Sequence, residues 1–326
     1  MTPRRVLQSI ILMLAGWALM FAAPAGAQGF PTRPIRLIVP LAPGGATDIQ
    51  ARLLAKVLSE QFGQPVIVEN RPGASGMIGA EAVAKSPPDG YTILFTTAAL
   101  AINATLAKST IKFDPVKDLA PVVWVSATPL VLIVNPKVAA NTPQELVALA
   151  RNKPGGLNAG LTVSGSTSHL AAEMFKQIGS ISFANVPYKG GAPAMLALLG
   201  GEVDFVFAEA LLALPQIKAG KVRALAVTTA KAAPAFPDLP TMNAMLSGFV
   251  ADNWFAMFAA AGTPREVVAT LNRAVKTALD LKEVQSLFDK DAMTAVGSTP
   301  EELGAHLKSE IDRYAEVIRK GNITAQ

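Results

Sequence analysis

Leu37-Ile-Val-Pro-Leu-Ala-Pro-Gly-Gly-Ala-Thr-Asp-Ile-Gln-Ala-Arg52 is the stretch whose reading decides the fold. The apolar run from Ile35 to Val39 predicts a short buried strand. Pro40 to Gly45 predicts a turn. Ile49, Leu53, Leu54, Val57, Leu58 and Phe62 then recur at helical spacing. Strand, glycine turn and helix in that order form a corner at which the first N–H groups of the helix lack intrahelical acceptors. Such a corner binds an anion without a charged side chain. Two readings of Gly44 and Gly45 follow: they permit a tight βα turn, or they also turn backbone N–H groups toward a ligand.

The rhythm continues outward from this corner. Strands are predicted at Pro65 to Glu69 and Tyr91 to Thr96, with a short helix at Met77 to Lys85 between them. The βαβαβ order implies a parallel sheet with helices on its faces. The three strands end at Pro43–Thr47, Asn70–Ser75 and Thr96–Ala99. Ligands in such sheets sit beyond the carboxyl ends of the strands. Leu41, Pro43, Gly44, Gly45, Ala46, Thr47, Asp48, Gly73, Ala74, Ser75, Thr97 and Ala98 are therefore candidate site residues.

Pro121 to Asn135, with Pro129 inside it, predicts two strand segments that cross between domains. Thr142-Pro-Gln-Glu145 predicts a capping box that opens a helix. Strands follow at Leu157–Val163, Ser182–Tyr188, Val203–Ala208 and Val222–Thr228, alternating with helices at Leu170–Ile178, Ala192–Leu199 and Leu211–Ala219. Lys231 to Thr241 is a Pro-rich connection, and Asn253 to Ala261 predicts a return crossing. Thr263-Pro-Arg-Glu266 predicts a second capping box, and helices at Lys282–Lys290 and Thr299–Lys320 close the chain. The expected organisation is a discontinuous domain, 28–127 plus 253–326, around an inserted domain, 128–252.

Composition narrows the function. The chain has 326 residues, no Cys and two His, which excludes disulfides, thiolate metal sites and a His-rich metal centre. The net charge of +5 comes from dispersed residues without the aromatic interleaving of a nucleic-acid surface. Arg4 and Arg5, the apolar Val6–Ala23 and the small residues Ala25-Gly-Ala27 form a secretion signal over 1–27, with Gln28 as the mature start. Without a Cys at that point the chain is not a lipoprotein, so a soluble protein outside the cytoplasmic membrane is expected.

No nucleophile elbow, P-loop, dinucleotide fingerprint or His-Glu-x-x-His is present, so no cofactor or metal is expected. Ser164-Gly-Ser-Thr-Ser-His169 predicts a second hydroxyl- and glycine-rich helix start. There Gly165 allows close approach, and Ser164, Ser166 and Ser168 donate hydrogen bonds or cap the helix. Two facing helix starts, one per domain, suit a small carboxylate. His169 either touches the ligand or bonds backbone. Asp48 either caps backbone N–H groups, meets a ligand ammonium or holds a water. Lys189 supplies a positive charge or is a solvated loop residue. Tyr188, Gly190 and Glu209 complete the candidate site. A hydrolase built on Ser166 and His169 is the enzymatic alternative, and it would need an orienting acid.

These residues carry a resemblance. Pro40 to Asp48 with Arg52, Val68-Glu-Asn-Arg-Pro-Gly73, Asp89-Gly-Tyr91, Gly165-Ser166 with His169, and Val186-Pro-Tyr-Lys-Gly190 appear in order. Leu199 to Asp204, Pro237-Asp-Leu-Pro-Thr241, Trp254, Gly262-Thr-Pro264, Leu271-Asn272 and Thr299-Pro-Glu301 follow them. The whole mature chain resembles the Bug, or TctC-type, periplasmic receptors of tripartite tricarboxylate transporters. Ala244 and Leu246 stand where the family pattern has an acidic residue and a glycine. The resemblance implies an α/β, two-domain type II periplasmic-binding-protein fold with the ligand between the domains. It also implies that the loops at Pro43–Asp48 and Ser164–His169 hold a carboxylate through backbone groups and waters. It implies a monomer that delivers a di- or tricarboxylate, acidic amino acid or aromatic carboxylate to a membrane permease. A sensor that docks on a membrane histidine kinase would need the same receptor.

The leader yields the first prediction. The intact mass of protein in a periplasmic extract should match a chain that begins at Gln28. Recovery only from membranes at full-length mass would show that the leader is retained.

Overall fold

The computed structural model describes residues 29–324 apart from 154, 189 and 291. The leader and Lys189 therefore lie outside the described residues. Two mixed sheets, each covered by helices on both faces, organise the rest.

The first sheet has the order β11-β4-β10-β3-β1-β2. The strand β1 (Ile35–Val39) pairs in parallel with β2 (Val66–Asn70) and β3 (Thr92–Thr97). The strand β10 (Asn253–Ala260) enters antiparallel between β3 and β4 (Leu119–Thr128). All eight residues of β10 are buried, which is why it reads as a continuous apolar run. The short β11 (Thr294–Ala295) forms the edge. One face carries α1 (Ala46–Phe62), α9 (Arg265–Leu279) and α10 (Lys282–Lys290). The other carries α2 (Met77–Ala84), α3 (Ala99–Leu106) and α11 (Pro300–Lys320).

The second sheet has the order β7-β6-β8-β5-β9. Its strands are β5 (Leu130–Val134), β6 (Asn158–Leu161), β7 (Ala184–Pro187), β8 (Phe205–Glu209) and β9 (Arg223–Val227). The helices α4 (Pro143–Asn152) and α5 (Thr167–Gly179) pack on one face, around Phe175, Phe183, Phe205, Phe207 and Phe249. On the other face lie α6 (Gly191–Gly200) and α7 (Ala210–Lys218). A single turn of helix, α8 (Met242–Met245), precedes the return to β10.

The chain passes between the sheets at two adjacent points. Pro129 alone separates β4 from β5. On the return, the Thr228 hydroxyl accepts the Leu130 N–H at 3.0 Å and donates to Ala251 O at 3.0 Å, tying the outgoing and incoming strands together.

Local details correct the sequence reading. Thr142 Oγ1 accepts the Glu145 N–H at 3.1 Å, but the Glu145 carboxylate takes the N–H of Asn141 at 2.7 Å. The expected reciprocal box is thus displaced by one residue. No box exists at Thr263. Pro264 holds the cap position of α9, and the Thr263 hydroxyl donates to Ala260 O at 2.7 Å. The complete box lies at Thr299 and Glu302. The helix α3 carries no sequence signal at its start, because Ala98 at the cap position and Ala99-Leu-Ala101 after it offer no capping side chain.

A buried polar knot secures α11 against the return strand. Arg313 forks onto Glu310 at 2.9 and 2.8 Å and donates to Val250 O, while Trp254 Nε1 donates to Glu310 at 3.1 Å. Asp252 faces this knot, and burial pushes its pKa up to about 7. A carboxyl whose folded pKa lies above its unfolded value stabilises the protein below the unfolded pKa. That contribution is lost as pH rises through 7. Asp252→Asn should therefore be more stable than the parent at pH 8, by about 1 kcal/mol or more, and no more stable at pH 4. Urea unfolding at the two pH values measures the difference.

Candidate functional site

The anion corner owes its shape to Asp48. This carboxylate is only 3% exposed. Its Oδ2 accepts the Gly44 N–H and Arg52 Nε, both at 2.9 Å, and its Oδ1 accepts Asn70 Nδ2 at 2.9 Å. Asn70 also donates to Leu41 O at 3.1 Å and accepts from Arg52 at 3.0 Å. Burial would raise the Asp48 pKa, but the bonds from Arg52, Gly44 and Asn70 outweigh it and hold the carboxylate below its usual range. Asp48 therefore caps the turn and faces away from the cleft. Gly44 has φ +84°, a left-handed conformation open to glycine, and its N–H is consumed inside the corner. Gly45 has φ −82°, so it needs no glycine for conformational reasons. The N–H groups of Gly45, Ala46 and Thr47 meet no acceptor among the described residues.

Across the gap, α5 is capped by Ser166. Its Oγ accepts the His169 N–H at 3.3 Å and donates to Val163 O at 2.6 Å. The N–H groups of Thr167 and Ser168 meet no acceptor among the described residues. The buried Ser168 hydroxyl also lacks a partner there. His169 is 4% exposed, and its Nδ1 accepts the Gly165 N–H at 3.1 Å. Burial holds its pKa down, so the ring is neutral with its proton on Nε2. The Ser166 hydroxyl and the His169 imidazole do not pair, so the dyad of the hydrolase reading is not assembled.

Between these starts lies a cleft of about 370 Å³. Leu41, Pro43, Gly44, Gly45, Ala46 and Thr47 line it from α1, with Ser75 and Thr97 beside them. Ser164, Gly165, Ser166, Ser168, Gly190 and Glu209 line it from the second sheet. Of the other expected residues, Asp48 and His169 lie behind the wall as buried supports. Gly73 and Ala74 form the turn behind Ser75, Ala98 is buried beneath the cleft floor, and Tyr188 stands off the lining.

Ala99 and Thr167 fall within loops expected at the cleft, whereas sequence reading missed Ala42, Leu130, Thr162, Val163, Gly191, Ala192, Pro193 and Asn253. Gly191, Ala192 and Pro193 form the first turn of α6, whose glycine-rich start was a usable signal. Asn253 reaches the wall only because β10 returns through the second crossing, which no local pattern shows. Five helices, α1, α3, α5, α6 and α7, begin at the cleft. Among the described residues no Lys, Arg or His stands on its wall, and no cluster of His, Asp or Glu suits a metal.

Hydrogen bonds also cross the cleft. Ser75 Oγ donates to Ser164 O at 3.0 Å, and Asn103 Nδ2 donates to Gly165 O at 3.1 Å. Ser75 sits at φ +54°, a conformation that costs a non-glycine residue about 1 kcal/mol.

The model of the tripartite tricarboxylate transporter family receptor matches residues 50–323. The chain belongs to this receptor family. Protein BugT of Bordetella pertussis is 40% identical over 302 residues, which is 92% of each chain. An R. palustris protein, Rpa4515, solved with adipate, superposes with a TM-score of 0.83 at 36% identity, covering 90% of this chain and 99% of that one. MatC from Rhodopseudomonas palustris, solved with bound malate, gives 0.80 at 30% identity, covering 89% and 100%. The fold of the receptor is thus the periplasmic-binding-protein fold.

Gly165 provides the direct test of this geometry. Its φ is +73°, and a Cβ there would lie 2.8 Å from Asn103 Oδ1. In the receptor, Gly165→Ala should displace the Asn103 bridge and the start of α5. It should weaken ligand binding about tenfold, which is 1.4 kcal/mol. Calorimetry with the ligand found by the screen below, on variant shown to be folded, reads the effect.

Proposed function

We propose that this receptor works in the periplasm as a solute-binding protein. It captures a small carboxylate between its two sheets and delivers it to a membrane permease of the tripartite tricarboxylate type. The observation that carries this reading is the cleft wall. Helix starts from both sheets converge there with unpartnered N–H groups, and no cationic side chain stands on it among the described residues. Aligned N–H groups and helix dipoles hold a carboxylate at fixed geometry. The adipate and malate in the two relatives support a carboxylate of this size.

Residues 28–127 plus 253–326 act as one lobe and 128–252 as the other. The single-residue link at Pro129 and the segment Ala251–Asn253 act as the hinge. The ligand bridges the helix starts of the two lobes and so favours the closed form, in which Ser75 and Asn103 reach across. The closed surface is what the permease reads.

A thermal-shift screen of mono-, di- and tricarboxylates, acidic amino acids and aromatic carboxylates should reveal the ligand. At a hundred times its dissociation constant, a ligand adds about 2.7 kcal/mol to stability. Small-angle scattering with that ligand should then show a smaller radius of gyration than without it. No stabilisation by any carboxylate would contradict the reading.

A further inference from the structure

Glu209 is out of keeping with the rest of the cleft. It ends β8 and occupies the cap position of α7, yet its side chain makes no capping bond. Instead the carboxylate turns into the cleft. Its Oε1 accepts Asn253 Nδ2 at 2.9 Å. The Thr167 hydroxyl contacts Asn253 Oδ1 at 3.4 Å, which fixes the amide with its NH2 toward Glu209. Oε2 meets no donor among the described residues.

Glu209 is also the one ionisable side chain on the wall among the described residues. Leu130, paired to it from β5, and Asn253 and Thr167, the two residues that hold it, are all uncharged. Burial pushes its pKa up, the Asn253 bond opposes that, and no neighbouring charge contributes.

The wall thus presents two unlike halves. The helix starts offer only donors and complement a carboxylate. Glu209 offers a carboxyl oxygen, Oε2, that no donor among the described residues occupies. A ligand that filled the cleft with carboxylates alone would satisfy the donors but set its own acceptor oxygens against Glu209 Oε2, leaving that oxygen without a donor. A ligand with an ammonium or hydroxyl group satisfies both halves. We propose that Glu209 is a specificity-determining residue that selects carboxylates bearing a hydrogen-bond donor, an ammonium or hydroxyl group, over the same skeletons without one. The assignment rests on the carboxylate-receptor reading and names its ligand class more narrowly.

Matched probes test it: succinate against malate and aspartate, and adipate against 2-aminoadipate. Calorimetry at pH 7.5 on the mature protein and on Glu209→Gln measures each ratio. In the parent, the donor-bearing member should bind about tenfold more tightly, the order set by a charge-assisted hydrogen bond. Glu209→Gln keeps the size and the Asn253 contact but puts an NH2 donor in the place of Oε2. It should bring the ratio close to one, mainly by improving binding of succinate or adipate, in a variant shown to be folded. The parent ratios need no variant, so a folding defect cannot obscure them. Equal or tighter binding of the bare dicarboxylates by the parent overturns the assignment and leaves the receptor reading intact. A ratio unaltered by Glu209→Gln does the same. If no probe binds either protein while another carboxylate does, the selection named here is wrong. If no carboxylate binds at all, the receptor reading falls and this assignment with it.

Discussion

The burial of Asp48 is the constraint from which the site follows. A carboxylate in the first turn of α1 would repel an anion if it faced the cleft. Drawn inward, it collects the Gly44 N–H, Arg52 and Asn70, while Asn70 in turn grips Leu41 O. That set of bonds fixes the 41–48 turn against the end of β2. It also leaves the next three backbone N–H groups as the ones that face outward. This donor-lined surface is thus shaped by an anion buried behind it, neutralised by Arg52.

The same device recurs across the cleft in a different form. There the Gly165 N–H is spent on His169 Nδ1 and the Ser166 hydroxyl on Val163 O, so that the Thr167 and Ser168 groups are left over. In both corners the first polar groups are spent inside the turn, and the backbone N–H groups one or two places on are left without a partner at the cleft among the described residues. A wall of backbone donors suits a receptor that must also release. Backbone dipoles orient an anion while leaving no long-lived ion pair to break, and a buried ion pair is expensive to separate.

Much of this could be read from the residues alone. The strands at Ile35–Val39 and Leu130–Val134 announce themselves as apolar runs, and the helix starts at Gly45 and Ser166 by glycine and hydroxyl residues before a helical period. What could not be read was direction. Nothing in Gly-Gly-Ala-Thr-Asp says that Gly44 points inward and Gly45 outward, because that depends on Asn70, 22 residues further along. Asn253 joins the wall only through an antiparallel return from the far end of the chain. Capping boxes failed for a related reason: at Thr263 the following Pro264 takes the cap position, and the Thr263 hydroxyl turns back to the preceding strand.

The clasp at Thr228 has a consequence for how such receptors diversify. One hydroxyl holds the carbonyl of Leu130, where the chain enters the second sheet, and that of Ala251, where it leaves. The entry and exit of a segment of more than a hundred residues therefore lie within a few ångströms of each other. A segment with adjoining ends is a cassette. It joins the rest of the chain at two neighbouring junctions, and outside them it is held by few polar bonds among the described residues, one of them Gln177 Nε2 to Val317 O at 3.0 Å. Because that cassette carries Ser164 to Ser168, Gly190 to Pro193 and Glu209, an exchange would replace one half of the cleft while the Asp48 corner stayed constant. Sequence variation confined to this segment therefore reshapes one half of the cleft and leaves the other in place.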